Sequence, residues 1–347
     1  MKRTLSRLLL LLFLAAIAGY WLFLSPATSF EEKSKSFTIS GNKKDKASIL
    51  EEMKKNGIIT NKTAFSLLAS VVGAWDQIKA GKYEVKKGEN MLTIVRMLKN
   101  GRLAEIKLVI NRLRTKEDLA KLIGKNFSTD SANVMQYISS NDSLKEYGVD
   151  TNTVFSIIIP DTYSFYWSAP LDKIFRKLSD TKNIFWRNKG RTEKAKSLGL
   201  AQEEVYTLAS IVEEETNYDN DKFKIASVYL NRLNKDMALQ ACPTIKFAMK
   251  DFTLTRIYEK YLFNPSPYNT YRHKGLPPGP ICTPSSKTID IILNAPKTNY
   301  LFFVAKSDFS GYHHFSSNFA EHSLYAKEYQ KALDIYMARK QQNEPKL

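Results

Sequence analysis

Hydrophobic positions along this chain recur mostly three and four residues apart and alternate only over short runs, so the pattern predicts many helices and a few strands. Leu8 to Leu24 comes first, an uncharged apolar run of 17 residues. At about 1.5 Å of rise per residue it just crosses a thin hydrocarbon core. A polar Ser/Lys-rich stem covers 25–36. Phe37 to Ile39 reads as a strand, Ile49 to Lys55 and Ala64 to Lys79 as helices, and Gly81 to Val85 as a second strand. Asn90 to Lys99 is a helix with Met91, Ile94, Val95 and Leu98 on one face, stopped by Asn100-Gly101. Beyond it, Ile106 to Ile110 alternates as a strand, Thr115 to Ile123 is a helix capped by its threonine, and Ile157 to Ile159 is an apolar strand breaking at Pro160. Helices follow over 171–186, 202–216, 222–233, 288–294 and 320–340, with a buried strand at Leu301 to Ala305. Residues 264–285 show little periodicity and are rich in Pro, Gly, Tyr and Asn, as binding loops are.

The helix over 202–216 draws the chain around it. Val205, Leu208, Ala209, Ile211 and Val212 form an apolar stripe, and Glu213, Glu214 and Glu215 follow. At roughly 100° per residue, Glu214 points away from the stripe and Glu213 lies to its side. Glu215 comes round to the edge of the apolar face. One acid is thus carried inward while its neighbours stay in water. Desolvation raises the pKa of such a carboxyl and suits it to general acid work near neutral pH. A plain helix end with solvated acids is the competing explanation.

Composition narrows the partners. The chain has 347 residues, 43% of them hydrophobic, enough for one large domain or two ordinary ones. Lys and Arg number 52 against 35 acids, a net charge of +17, which favours an anionic partner. The basic residues are scattered and no Gly-aromatic RNA-binding motif appears, so nucleic acid is not expected. Lys2, Arg3 and Arg7 precede the apolar run, which places residues 1–7 in the cytoplasm and the rest outside. A cleaved signal peptide stays open, since Ser25 to Ala27 supplies small residues. The length of the run favours a retained single-pass anchor in the cytoplasmic membrane. No pair of His or Cys has metal-ligand spacing, so no metal and no cofactor is expected. Ser179-Asp180-Thr181-Lys182 matches S-x-x-K but lacks the other motifs of that acyl-enzyme chemistry.

Five blocks in order carry a resemblance. They are Leu208 to Thr216 (LASIVEEET), Ala226 to Leu233 (ASVYLNRL), Leu239-Gln240 with Pro243-Thr244, Tyr268 to Tyr271 (YNTY) with Gly275 to Ile281 (GLPPGPI), and Phe303 to Ala305 with His314, Phe315 and Asn318. Pro160 to Tyr163 fits the start of the same domain. Together they resemble the membrane-anchored endolytic murein transglycosylases, the MltG/YceG-like family. The resemblance implies an α+β protein with an N-terminal transmembrane helix over 8–24, a LysM-like module over 37–105 and a YceG-like catalytic domain over 106–340. It implies cleavage of nascent peptidoglycan strands between N-acetylmuramic acid and N-acetylglucosamine with 1,6-anhydro ends, ending strand growth beside a peptidoglycan synthase complex.

The family's essential acid falls on Glu215, the residue that the helical geometry also selects. Glu213 is the reserve acid, expected near Arg232. Asn231, Gln240, Tyr268, Asn269 and Tyr271 are candidates for binding sugar hydroxyls and acetamido groups, with loop and core packing as the alternative. His314 and Asn318 are candidates for the groove, and Gly275 to Gly279 for its wall. One departure stands out: Cys242 occupies the place where the family commonly has Asp, and Cys282 follows the GLPPGPI stretch. Both fall in segments expected to border one cleft, which raises a Cys242–Cys282 bridge as a hypothesis. A lysozyme-type hydrolase and a non-catalytic wall-binding scaffold remain the alternatives.

Overall fold

The computed structural model describes residues 7, 9–10, 13–14, 17, 19–21, 23–41 and 45–343. The expected cytoplasmic tail over 1–7 therefore lies almost entirely outside the described residues, and the expected span over 8–24 lies partly outside them. Where described, that span is helical, and Leu9, Leu10, Phe13, Leu14, Tyr20 and Trp21 are exposed. Among the described residues no helix is long and apolar enough to cross a membrane.

In chain order the elements are β1 (Ser34–Ile39), α1 (Lys46–Lys55), α2 (Lys62–Val72), β2 (Gly81–Lys86), α3 (Met91–Lys99), β3 (Glu105–Val109), α4 (Lys116–Asn126), α5 (Ser131–Ile138), α6 (Asn141–Leu144), β4 (Thr162–Tyr166), α7 (Leu171–Arg187), α8 (Arg191–Ser197), α9 (Gln202–Glu215), α10 (Asp219–Asn234), α11 (Cys242–Ala248), α12 (Ser286–Leu293), β5 (Phe302–Ala305), β6 (His313–Ser316) and α13 (Phe319–Asn343). The strands pair as β1-β2, β3-β4 and β5-β6, a mixed α+β composition dominated by helix. The residues fall into two compact units.

One unit takes in the chain to Leu108 with 123–130 and 163–170. Its centre is the antiparallel pair β1-β2, in which Phe37 lies opposite Tyr83 with their rings stacked at 5.6 Å. Phe37, Ile39, Tyr83 and Val85 turn to one side and are buried with Ile49 and Met53 of α1, Phe65 of α2, and Ile94 and Leu98 of α3. Each such side chain contributes on the order of 1.5–3 kcal/mol on leaving water. Asp45, Asn61 and Asn90 cap the three helices by accepting from the backbone N–H three residues on. The helix expected to run to Lys79 stops at Val72, because Gly73 adopts a left-handed conformation and satisfies the last carbonyls.

The other unit comprises 109–122, 131–162 and 171 onward. α9 is its axis: Val205 to Val212 are all buried, and α10, α11 and α12 pack against it. The sequence suggests a helix with one apolar stripe, whereas this one is enclosed on every side over two turns. Its polar residues there are satisfied internally, as burial requires. The Ser210 hydroxyl donates to the Thr207 carbonyl at 2.7 Å and accepts from the Ile281 backbone N–H at 3.0 Å. The Tyr206 hydroxyl donates to the Ile158 carbonyl at 2.6 Å. Ile157 to Ile159 is not a strand. A short 3-10 turn, Val154–Ile157, precedes an extended stretch, and the strand comes only after Pro160. β5 is half-buried rather than buried.

Candidate active site

The site forms where α9 ends. Thr216 leaves the helix in an extended conformation, and the three carboxylates of the last turn separate to three different partners. Glu213 accepts from Lys222 Nζ at 2.8 Å, from Ser285 Oγ at 3.2 Å and from the Thr288 hydroxyl. Burial pushes its carboxyl upward, but Lys222, Thr288 and Ser285 outweigh that and hold it below the ordinary carboxylate range. Glu214 receives a forked pair from Arg114, with Nε at 3.1 Å and Nη2 at 2.9 Å, and Arg112 Nη1 lies 3.4 Å away. Both side chains are only 13% exposed. The expectation that Glu213 and Glu214 stay in water is therefore wrong. Cations from the 109–115 segment and from α10 cover them, and the pattern within α9 carries no information on what packs over its end.

Glu215 differs. Among the described residues its one hydrogen-bonding partner is Tyr229 of α10, whose hydroxyl donates to Oε1 at 2.5 Å. The two residues are 14 apart, and Tyr229 is 1% exposed with its ring edge-on to Phe303 at 5.8 Å. Burial raises the Glu215 carboxyl to about 7, with the Tyr229 hydrogen bond and the charge of Lys246 acting downward and Glu214 upward. Burial also pushes the Tyr229 phenol well above its ordinary value, as does the neighbouring carboxylate. All three glutamates line a cavity of about 310 Å³ with Arg112, Arg114 and Lys246. A second cavity, of about 240 Å³, shares Arg114 and Phe252 with it. The carboxyl that can exchange a proton near neutral pH thus faces a charged cleft.

Local sequence explains how the walls are held. Thr283 donates its backbone N–H to the Leu113 carbonyl at 2.8 Å, and its hydroxyl accepts from the Leu113 N–H at 2.8 Å. The same hydroxyl donates to the Asn111 carbonyl at 2.9 Å, which fixes the segment bearing Arg112 and Arg114. α11 starts with Pro243 in its first turn, and Thr244 donates to the Ala241 carbonyl at 2.7 Å. Lys246 is then carried on that helix to the cavity. Gly279 passes so close to Asn152 that an added Cβ would collide with the Asn152 carbonyl oxygen and lie 2.8 Å from its carbon.

The other candidate residues separate into wall and scaffold. Tyr271 meets Cys242 Sγ at 3.2 Å, and its phenol is pushed above the ordinary value by burial and by the thiol. Tyr268 lines the second cavity, packs on Phe247 at 4.7 Å, and is raised to about 12 by burial. Asn269 is fully buried and donates to the Leu262 and Asn264 carbonyls at 2.9 and 2.7 Å, so it holds the loop. Asn231 likewise clamps the Thr298 and Tyr300 carbonyls, each at 2.9 Å. Gln240 accepts from Arg232 at 3.3 Å. Arg232 also donates from Nε to the Leu301 carbonyl and from Nη1 to the Ala238 and Leu239 carbonyls, while the cation paired with Glu213 is Lys222. His314 stacks on Tyr325 at 4.1 Å, and Asn318 caps α13 through the Glu321 N–H at 2.9 Å. Neither lines a cavity with Glu215. Cys242 and Cys282 are free thiols with separate surroundings, Tyr271 for one and the Ser210 carbonyl for the other, so the bridge is not present. Among the described residues no group of three or more His, Cys, Asp or Glu could hold a metal ion.

Sequence reasoning missed Tyr229, Arg112, Arg114 and Lys246. Tyr229 carried a faint signal, as the tyrosine on the inward face of the helix that follows the acids. The three cations carried none, since they lie far from α9 in sequence or on a helix, α11, that the pattern does not reveal.

Comparison with known proteins agrees with this architecture. A family model described as the YceG-like family matches residues 38–328. The endolytic murein transglycosylase of Bacillus subtilis (strain 168) is 30% identical over 303 residues, spanning 82% of this chain and 81% of that protein. The protein of the same name from Streptococcus pneumoniae (strain ATCC BAA-255 / R6) is 26% identical over 339 residues, spanning 85% of this chain and 60% of that protein. A crystal structure of a yceG-like protein from Listeria monocytogenes superposes with a TM-score of 0.55 at 25% identity, over 84% of this chain and 99% of that one. The chain belongs to the YceG-like family.

Proposed function

We propose that this protein is an endolytic lytic transglycosylase, which cuts peptidoglycan strands between N-acetylmuramic acid and N-acetylglucosamine and leaves 1,6-anhydro-muramic ends. The observation that carries the reading is the isolation of Glu215. Among the described residues it is the one acid of the cavity without a cationic hydrogen-bond partner, and its carboxyl is raised to about 7. The names of the relatives from Bacillus and Streptococcus point the same way.

One carboxyl suffices for both halves of this reaction. Protonated Glu215 gives its proton to the glycosidic oxygen as the bond from muramic C1 to that oxygen breaks. The carboxylate then takes the proton of the muramic C6 hydroxyl as that oxygen bonds to C1. The acid is restored and no water is consumed. The Tyr229 hydrogen bond and the charge of Lys246 stabilise the carboxylate between the two steps. Ordinary glycoside hydrolysis uses a second carboxylate. Glu213 and Glu214 are committed to Lys222 and Arg114, which disfavours either for that part.

Digestion of purified peptidoglycan followed by analysis of strand ends tests the proposal. Anhydro ends from the wild type, lost in Glu215→Gln, are expected. Reducing ends would instead indicate a hydrolase, and sacculus binding without soluble products a scaffold.

The same reading makes residues 8–24 a single-pass anchor in the cytoplasmic membrane, N-terminus inside and the catalytic unit outside. Residues 37–105 are a LysM-like wall-binding module, and strand cutting beside a peptidoglycan synthase ends elongation. The apolar run at the start of the chain and the charge of +17 support it. The full chain should stay with membranes after an alkaline wash, and its release would remove the anchor from the proposal.

A further inference from the structure

We propose that the second cavity is a binding site for the acidic peptide that peptidoglycan strands carry on their muramic residues. The inference rests on the glycan-cutting reading and adds a substrate determinant to it. This cavity shares the Arg114 and Phe252 wall with the one that holds Glu215, so a substituent of a sugar bound at Glu215 can enter it. Phe247 and Tyr268 give it an aromatic floor, their rings 4.7 Å apart. Lys116 and Lys250 also line it and supply two positive charges.

Among the described residues neither lysine makes an ion pair or a side-chain hydrogen bond. Lys116 is half-buried, and burial lowers its pKa. A partly desolvated cation that makes no direct ion pair is unfavourable, and an entering anion relieves it. The two acids whose charge reaches Lys116, Glu117 and Asp150, are both exposed and screened by water.

The contrast with Arg114 is informative. That cation is already ion-paired with Glu214 through Nε and Nη2, so its charge is largely neutralised before a ligand arrives. While the peptide is attached, the lactyl carboxyl of each muramic residue is an amide, so the sugar rings themselves are neutral and would leave both ammonium groups unpaired. The peptide has free carboxylates for the lysines and aliphatic side chains for the aromatic floor. It is therefore the part of the substrate whose chemistry matches.

The test is calorimetric titration of the full-length Glu215→Gln protein with uncross-linked glycan fragments. One sample keeps its peptides, and the other has lost them to an amidase and had the freed lactyl carboxylates capped as methyl amides. We expect the peptide-bearing fragment to bind about tenfold more tightly, the worth of one or two charge-assisted hydrogen bonds. In a Lys116→Gln/Lys250→Gln background that advantage should vanish while affinity for the stripped fragment is kept, and Lys116→Arg/Lys250→Arg should restore it. Equal affinity for the two fragments overturns the proposal. So does a double variant that weakens both fragments alike, which would mark the cavity as a sugar subsite. Failure to bind either fragment defeats the glycan reading together with this one, a result distinct from loss of the peptide advantage alone.

Discussion

Glu213 and Glu215 stand two residues apart in the last turn of one helix, and their surroundings give them opposite character. The region around Glu213 is a closed knot in which one ammonium and two hydroxyls converge on a carboxylate. The region around Glu215 offers a single phenol and a cavity. Both acids pay for burial. At Glu213 the partners more than cancel that cost, and at Glu215 they do not, so one is held below the carboxylate range and the other rises to about 7. The difference teaches that the protonation state is set by what the rest of the chain brings to the helix end, here α10, α11 and α12, and not by the run of three glutamates.

The largest effect that would break the comparison lies in Glu215 itself. Glu215→Gln should lower the rate of strand cutting by roughly 10²–10⁴-fold, the usual worth of a general acid-base group. The corresponding change at Glu213 should act through folding instead.

Next in size is Lys222→Met, which leaves a buried carboxylate unpaired and should destabilise the protein by about 3 kcal/mol in urea unfolding. Adding Glu213→Gln to that variant should recover most of the loss. The Glu213 contribution also has a pH sign. A carboxyl held below its unfolded value of 4.5 stabilises the fold above that pH, and the stability is lost as pH falls through the lowered value. A Lys222→Met protein as stable as the wild type would remove the knot from the account.

The smallest effect sharpens the role of the phenol. An acid near 7 must be protonated to start the reaction, so the rate should fall as pH rises through about 7. The Tyr229 hydrogen bond favours the charged form, so Tyr229→Phe should move that alkaline limb to higher pH, with a rate change of about tenfold or less. A limb unmoved in Tyr229→Phe would show that the hydroxyl does not act on Glu215.

Much of the fold could be read from the residues. The strands β1 and β2 and the helix α3 stand close to where the residue pattern puts them, and α2 ends early at Gly73. α9 was legible as a helix but not as an enclosed one, since a surface stripe and a full burial differ only by what surrounds them. At the site, Glu215 was reached by helical phase, and its raised carboxyl follows from the burial that phase implied. Asn231, Asn269 and Asn318 have the right chemistry for sugars, yet each spends its side chain on backbone groups. Residue type alone does not separate a ligand group from a loop clamp. Arg114 and Lys222 were illegible because the pairing is 100 residues away in one case and on a different helix in the other.

Gly279 has a consequence for how this protein could change its substrate. Where the chain passes the Asn152 carbonyl, there is no room even for a methyl group. Any residue but glycine would act as a wedge and drive two lining segments apart. The bore of that hollow is thus gauged by backbone against backbone, and adapting it to bulkier cargo calls for remaking a loop rather than exchanging a side chain.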